Sequence, residues 1–465
     1  MWVYVIAWLI AEVIYYSYIS LFYVKSIDRV RNPERFVMSL AQAEEHMRRM
    51  CETIRSVSSI EEFTKGFFCG ASMQSLGRDN VLSFCAWAFT GQDIFDLRKG
   101  GKLELVALVE RCMSILEEYF PSEMANIKPG YNKKVKHVSM CLDKVNFLHR
   151  PFIFFAAMNT FNAFYDYVCM QKLGGWSRSH VSIPSHEVNR RRARREHKLP
   201  YWYRVPLKHS KTTCARPPLV FLHGISYGWI IYTDFLNTLE DRAVYMLDVD
   251  SIRIGSLSRA HPSPRAMARS VKEILKRHGH SQADIVGHSF GTMIATSLVN
   301  YTPEIIGNSL VLIDPVCLLL SLPDVAYNFL YKPPESVMDW MLVLGASREL
   351  TVARTLYRDF IWFEGDMVLE RIPDHVNVYA VLAEKDNILN APKIQKYVEQ
   401  YAHKREKEGQ GAASGSSGND VKKVRTGKTC AVFMRDQVHG SILFSASHTL
   451  RVSELVNERG NEGHA

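Results

Sequence analysis

The sequence predicts an α/β chain: a mostly parallel central sheet with helices on both faces, preceded by a helical region and a transmembrane helix. Three observations carry this. From about Tyr201 onward, short apolar runs alternate with helical patterns, as in strand–helix–strand units. One run ends in Gly287-His288-Ser289-Phe290-Gly291 and continues at once into an apolar helical stretch. The first two dozen residues, finally, hold almost no charge.

Residues 2–24 carry one charge, Glu12, and are rich in Trp and Tyr. That length crosses a bilayer with some tilt, and the aromatics suit its interfaces. The segment lacks the basic start and small-residue cleavage site of a secretory signal. Lys25, Arg29, Arg31 and Arg35 follow it, against Asp28 and Glu34. The positive-inside rule then makes this a single-pass membrane protein with its body facing the cytosol. The nine cysteines are scattered without paired spacing, which fits reduced thiols and gives no metal-ligand pattern.

Residues 25–180 lack strand alternation. Runs at 61–68, 103–120 and 135–148 read as helices. The aromatic stretch 151–167 contains Asn159, Asn162 and Asp166, so a second full span is not expected. It reads as a helix packed on the following domain or, alternatively, as a segment dipping into the membrane surface. A linker over 181–200 holds Arg190, Arg191, Arg192, Arg194 and Arg195. Anionic lipid is the partner that best suits such a cluster beside an anchor. Nuclear import, nucleic-acid contact and a merely solvated linker compete with it. The net charge of +9 fits an anionic surface, and no nucleic-acid-binding motif accompanies it.

Residues 201–465 hold the α/β domain. Strands are expected at 217–222, 242–248, 283–288, 308–313, 377–383 and 430–434, with a helix over 263–278. Residues 403–428 are dominated by Lys, Glu, Gly and Ser and read as a disordered loop. The tail after Glu454 is polar and reads as loose. His223-Gly224 follows the first of these strands, Asp386 the penultimate one, and His439 the last.

This order of His-Gly, Gly-x-Ser-x-Gly, acid and histidine resembles the alpha/beta-hydrolase superfamily from about Tyr201 to the C-terminus. More narrowly, Phe221-Leu222-His223-Gly224, the 287–291 motif and Leu312-Ile313-Asp314-Pro315 are similar to membrane-anchored eukaryotic members of uncertain function. The resemblance implies that the long connection 314–373 forms a cap. Its apolar runs suit an acyl or alkyl pocket.

The residue types then suggest a chemistry. A serine hydroxyl needs a base to become a nucleophile. His439 is the candidate base and acid, and Asp386 the candidate group that orients it, with Asp314 as the alternative. The oxyanion would be held by the backbone N–H of Phe290 and of Ile225. His223 reads as structural and His288 as shaping the turn. The expected activity is cleavage of a carboxylic ester, first of a lipid, by a serine hydrolase without cofactor or metal. An acyltransferase or thioesterase would use the same residues. A non-catalytic scaffold on a degenerate fold is the reading from another class.

Overall fold

The computed structural model describes residues 1–28, 33–184, 187, 197–206, 216–239, 241–256, 258, 261–414 and 427–458. It divides into two compact units: residues 1–156 with 320–363, and residues 157–319 with 364–465.

The second unit holds an eight-stranded sheet: β1 (Ser177–Ile183), β2 (His197–Arg204), β3 (Leu219–Leu222), β4 (Val244–Leu247), β5 (Ala283–His288), β6 (Ile306–Ile313), β7 (Asn377–Ala383) and β8 (Thr429–Met434). The order is β1-β2-β4-β3-β5-β6-β7-β8. β2 runs antiparallel to β1 and to β4, while β3 to β8 are parallel. Strands β3, β4, β5 and β7 are buried along their whole length, which is why they read as unbroken apolar runs. The helix Pro264–Arg277 starts where Ser263 accepts the N–H of Ala266, with Pro264 at its first position, two strong start signals together.

Three sequence expectations change here. The linker expected over 181–200 is in part strand, since β1 and β2 pair from Ser177↔Tyr203 to Ile183↔His197. Its basic cluster, 190–195, lies outside the described residues. The loop expected over 403–428 begins as helix: Ala391–Ser414 is continuous. Arg405 is the reason. It is buried and donates to the carbonyls of Pro373, Asp374 and Val376 and to Thr429 Oγ1. Residues 415–426 lie outside the described residues. The tail expected to be loose after Glu454 begins as the last turn of the helix Ala446–Asn457, with Leu455 and Val456 in the core, and residues 459–465 lie outside the described residues. The aromatic helix Phe152–Tyr165 continues to Leu173, and its later part packs here: Tyr165 lies against the core that contains Met170 and Trp176.

The first unit is helical. It contains Leu40–Val57, capped by a reciprocal Ser39–Gln42 box, Ile60–Phe67, Arg78–Thr90 and Leu103–Tyr119. A helix from Trp2 to Ile27 is long and apolar enough to cross a membrane, by length and composition. The connection expected to form a cap contributes residues 320–363 to this unit. Residues 135–148, expected as a helix, are not helical. Arg358 takes their carbonyls instead: its guanidinium donates to Met140, Cys141 and Asp143, and also to Ile27 and Asp28.

Candidate functional site

The turn after β5 is built by its glycines. A Cβ on Gly291 would sit 1.9 Å from the carbonyl oxygen of Leu222, at the end of β3. One on Gly287 would sit 3.0 Å from the carbonyl oxygen of Gly291. Only bare backbone lets strand and helix pass this closely. Between them Ser289 takes φ 50° and ψ −120°, a left-handed conformation that side chains rarely adopt. Its N–H is held by the carbonyl of Ile313 at 2.8 Å. The helix Phe290–Tyr301 starts immediately after. The N–H of Phe290 therefore has no acceptor inside that helix.

Ser289 Oγ lies 2.8 Å from His439 Nε2. His439 Nδ1 lies 2.8 Å from Asp386 Oδ2. The other oxygen, Asp386 Oδ1, accepts the N–H groups of Ile388 and Leu389, both at 2.8 Å, so the carboxylate is fixed at both ends. The acid turn is tied to the histidine loop by Lys385 N–H to the carbonyl of Gln437 at 2.8 Å. Burial pulls the His439 imidazolium down. The charge and hydrogen bond of Asp386 and the charge of Asp314 outweigh this and hold it up at about 9.

Asp314 is close but differently engaged. It ends β6, is fully buried and has φ 46°. Its Oδ2 accepts the N–H of Gly440 at 2.7 Å. It thus holds the backbone next to His439, while Asp386 holds the ring. Its other neighbour is His288 Nε2, 3.7 Å away.

The loop carrying Ile225 lies against the serine. A Cβ on Gly224 would fall 2.9 Å from Ser289 Cβ. His223 Nε2 accepts the N–H of Val249 at 3.0 Å, and its Nδ1 lies 2.8 Å from the carbonyl oxygen of Gly224. With Nε2 accepting, Nδ1 carries the proton. Burial pushes this imidazole down to about 4, so it is neutral and structural. On the far side of Ile225, Ser226 exchanges backbone hydrogen bonds with Ile252 and Ile254. Arg253 beside them is pinned by Asp248 at 3.1 Å and Asp166 at 3.7 Å. Asn159 adds a hydrogen bond to the carbonyl of Gly255.

Sequence reasoning missed the chain that links this loop to the turn. The Tyr232 hydroxyl accepts the N–H of Gly224 and lies 3.0 Å from His288 Nδ1. Burial pushes its phenol up, so it stays a donor. No local pattern marked Tyr232, because its partners are 8 and 56 residues away. The serine hydroxyl, a base within hydrogen-bond reach and a fixed acid behind that base form a unit that can take a proton from the serine and return it to a leaving group.

Residues 219–411 match the alpha/beta hydrolase family. No curated protein matches the chain by sequence. Among solved structures, it is similar to a bacterial membrane phospholipase A, at 14% identity over 66% of this chain and 94% of that one, with a TM-score of 0.37. It is also similar to a carboxylesterase from Bacillus subtilis, at 13% identity over 66% and 99%, TM-score 0.34. A peroxisomal alpha-beta-hydrolase from Saccharomyces cerevisiae is 12% identical over 62% and 92%, TM-score 0.39. Likenesses this distant say nothing about substrate. The sheet unit has the strand order of an alpha/beta-hydrolase fold, and the family match falls on its residues 219–411.

Proposed function

We propose that this protein is a membrane-attached serine hydrolase that cleaves the carboxylic ester of an apolar acid, a lipid ester first. The observation that carries the reading is the relay from Ser289 Oγ through His439 to Asp386, with both gaps at 2.8 Å. Ser289 Oγ attacks the ester carbonyl while its proton passes to His439 Nε2. The oxyanion is held by the N–H of Phe290 and that of Ile225. His439 returns the proton to the departing alcohol, which leaves an acyl-serine. Water, deprotonated by the same histidine, then releases the acid. Asp386 orients the imidazole and stabilises its cationic form.

The apolar acid is supported by the candidate span Trp2–Ile27, which would bring the catalytic unit to lipid. The test is a fluorophosphonate probe on the full-length protein at neutral and alkaline pH, beside Ser289→Ala. Covalent labelling of Ser289 alone is expected. Failure of the folded protein to label at any pH overturns the reading and favours a scaffold. On p-nitrophenyl esters, kcat/KM should rise from acetate to longer chains, since each buried CH₂ contributes about 0.8 kcal/mol. A preference for acetate overturns the lipid part alone.

A further inference from the structure

We infer that the protein meets the bilayer through more than its N-terminal helix: the helix Val337–Ser347 and the helix start at Phe152 enter the membrane beside it. This rests on the reading of Trp2–Ile27 as a membrane segment. It begins with Glu12, the single charge of that segment. At 1.5 Å per residue, Glu12 sits roughly 15 Å from Trp2, near the middle of a ~30 Å hydrocarbon layer. A carboxylate there needs partners, and it has three. Its oxygens accept the N–H of Phe152 at 2.7 Å, that of Ile153 at 3.0 Å and the indole N–H of Trp8 at 3.1 Å. Two of these partners are the free N–H groups of a helix start. Wherever Glu12 lies in the bilayer, the start of that helix lies beside it.

The neighbourhood extends further. Tyr15 packs on Phe152 and Phe155, with ring centres 5.7 and 5.8 Å apart. On its other side the same stretch is tied to Val337–Ser347 and the residue after it. Leu148 N–H donates to the carbonyl of Arg348, and Arg150 donates to that of Leu344. The large exposed side chains of Val337–Ser347 are Val337, Met338, Trp340, Met341 and Leu344, all apolar. Its one charged residue, Asp339, is turned inward. It accepts the N–H groups of Glu335 and Ser336 and pairs with Lys332 at 3.5 Å. Phe152 and Ile153 are exposed as well. Exposed apolar side chains thus flank the 148–153 stretch on both sides, from the anchor and from Val337–Ser347. Arg150, within that stretch, lies over the Phe154 ring at 4.9 Å and donates to the carbonyl of Leu344, so its charge, like that of Glu12, has partners within this neighbourhood.

The test places a benzophenone-bearing phenylalanine, one position at a time, at 9, 153, 341 and 103 in the full-length protein. The protein is reconstituted in phosphatidylcholine vesicles with tagged acyl chains and irradiated. Leu103 is a control: it is 77% exposed, in the same unit, on another helix. Lipid adducts at 9, 153 and 341, at least ten-fold above those at 103, are expected. Adducts at 9 with position 341 no better than 103 would overturn the inference and leave a lone anchor. Adducts at 341 to a second protein chain would overturn it in favour of a protein interface. Absence of adducts at 9 would remove the anchor reading itself, and this inference with it.

Discussion

The two units bury charge for opposite purposes. In the sheet unit, Asp314, Asp386 and His439 converge so closely that one donor atom from each lies within 4.8 Å of the others. Their charges act on one another, and the visible result is an imidazole pushed up to about 9. In the helical unit, the buried Arg358 is spent on the backbone carbonyls of Met140, Cys141 and Asp143, which have no helix or strand of their own. One arrangement tunes a proton; the other replaces secondary structure. Buried charge thus points to chemistry only where titrating groups face each other beside a nucleophile.

The sharpest break of this comparison is Ser289→Ala. It should abolish probe labelling and lower kcat by roughly 10⁴-fold or more, with an unchanged melting temperature. Substantial residual turnover would move the nucleophile elsewhere.

Asp386→Asn comes next. Its Oδ1 would still accept from Ile388 and Leu389, so the turn persists, but Nδ1 of His439 would face an amide. A fall in kcat of roughly 10⁴-fold is expected, because the wrong tautomer is favoured. A loss of less than ten-fold would return the role to Asp314.

Arg358→Ala probes the other unit. It strands several buried carbonyls and should cost about 3–5 kcal/mol in chemical denaturation. Turnover per labelled serine should stay unchanged, since every candidate catalytic residue lies in the sheet unit. Lost turnover in protein that still labels fully would show that the two roles are not separate.

How far the sequence could be read follows the same division. Strands β3, β4, β5 and β7 were legible because a parallel sheet buried on both faces writes unbroken apolar runs, and β6 and β8 because their apolar runs persist despite one exposed residue or half-burial. The turn at Ser289 was legible because two glycines and an apolar helix flank it. β1 was not: Ser177-Arg178-Ser179-His180 is polar and lies at the sheet edge. β2 was hidden by Pro200 in its middle, a residue that argues against a strand. Residues 135–148 looked helical by period, yet a side chain 217 positions from Cys141 decides their conformation. Of the residues the structure gathers around Ser289, those named beforehand lie within a few residues of a strand's C-terminal end. Tyr232 and the Gly440–Asp314 bond depend on loop geometry that no period encodes.

The smallest effect is the most informative about charge. Below its pKa His439 is protonated and cannot accept the serine proton. Activity should therefore rise with pH and level off above about 9. Two carboxylates produce that elevation, and only Asp386 touches the ring. Asp314→Asn keeps an oxygen for the N–H of Gly440 while removing one charge. It should change the plateau rate little and move the rising limb of kcat/KM to lower pH, making the variant relatively better than the parent at neutral pH. A purely structural Asp314 would lower the plateau and leave the limb in place. A limb that does not move in a folded, active variant would show that His439 is insensitive to the second charge, and that the elevation belongs to Asp386 alone.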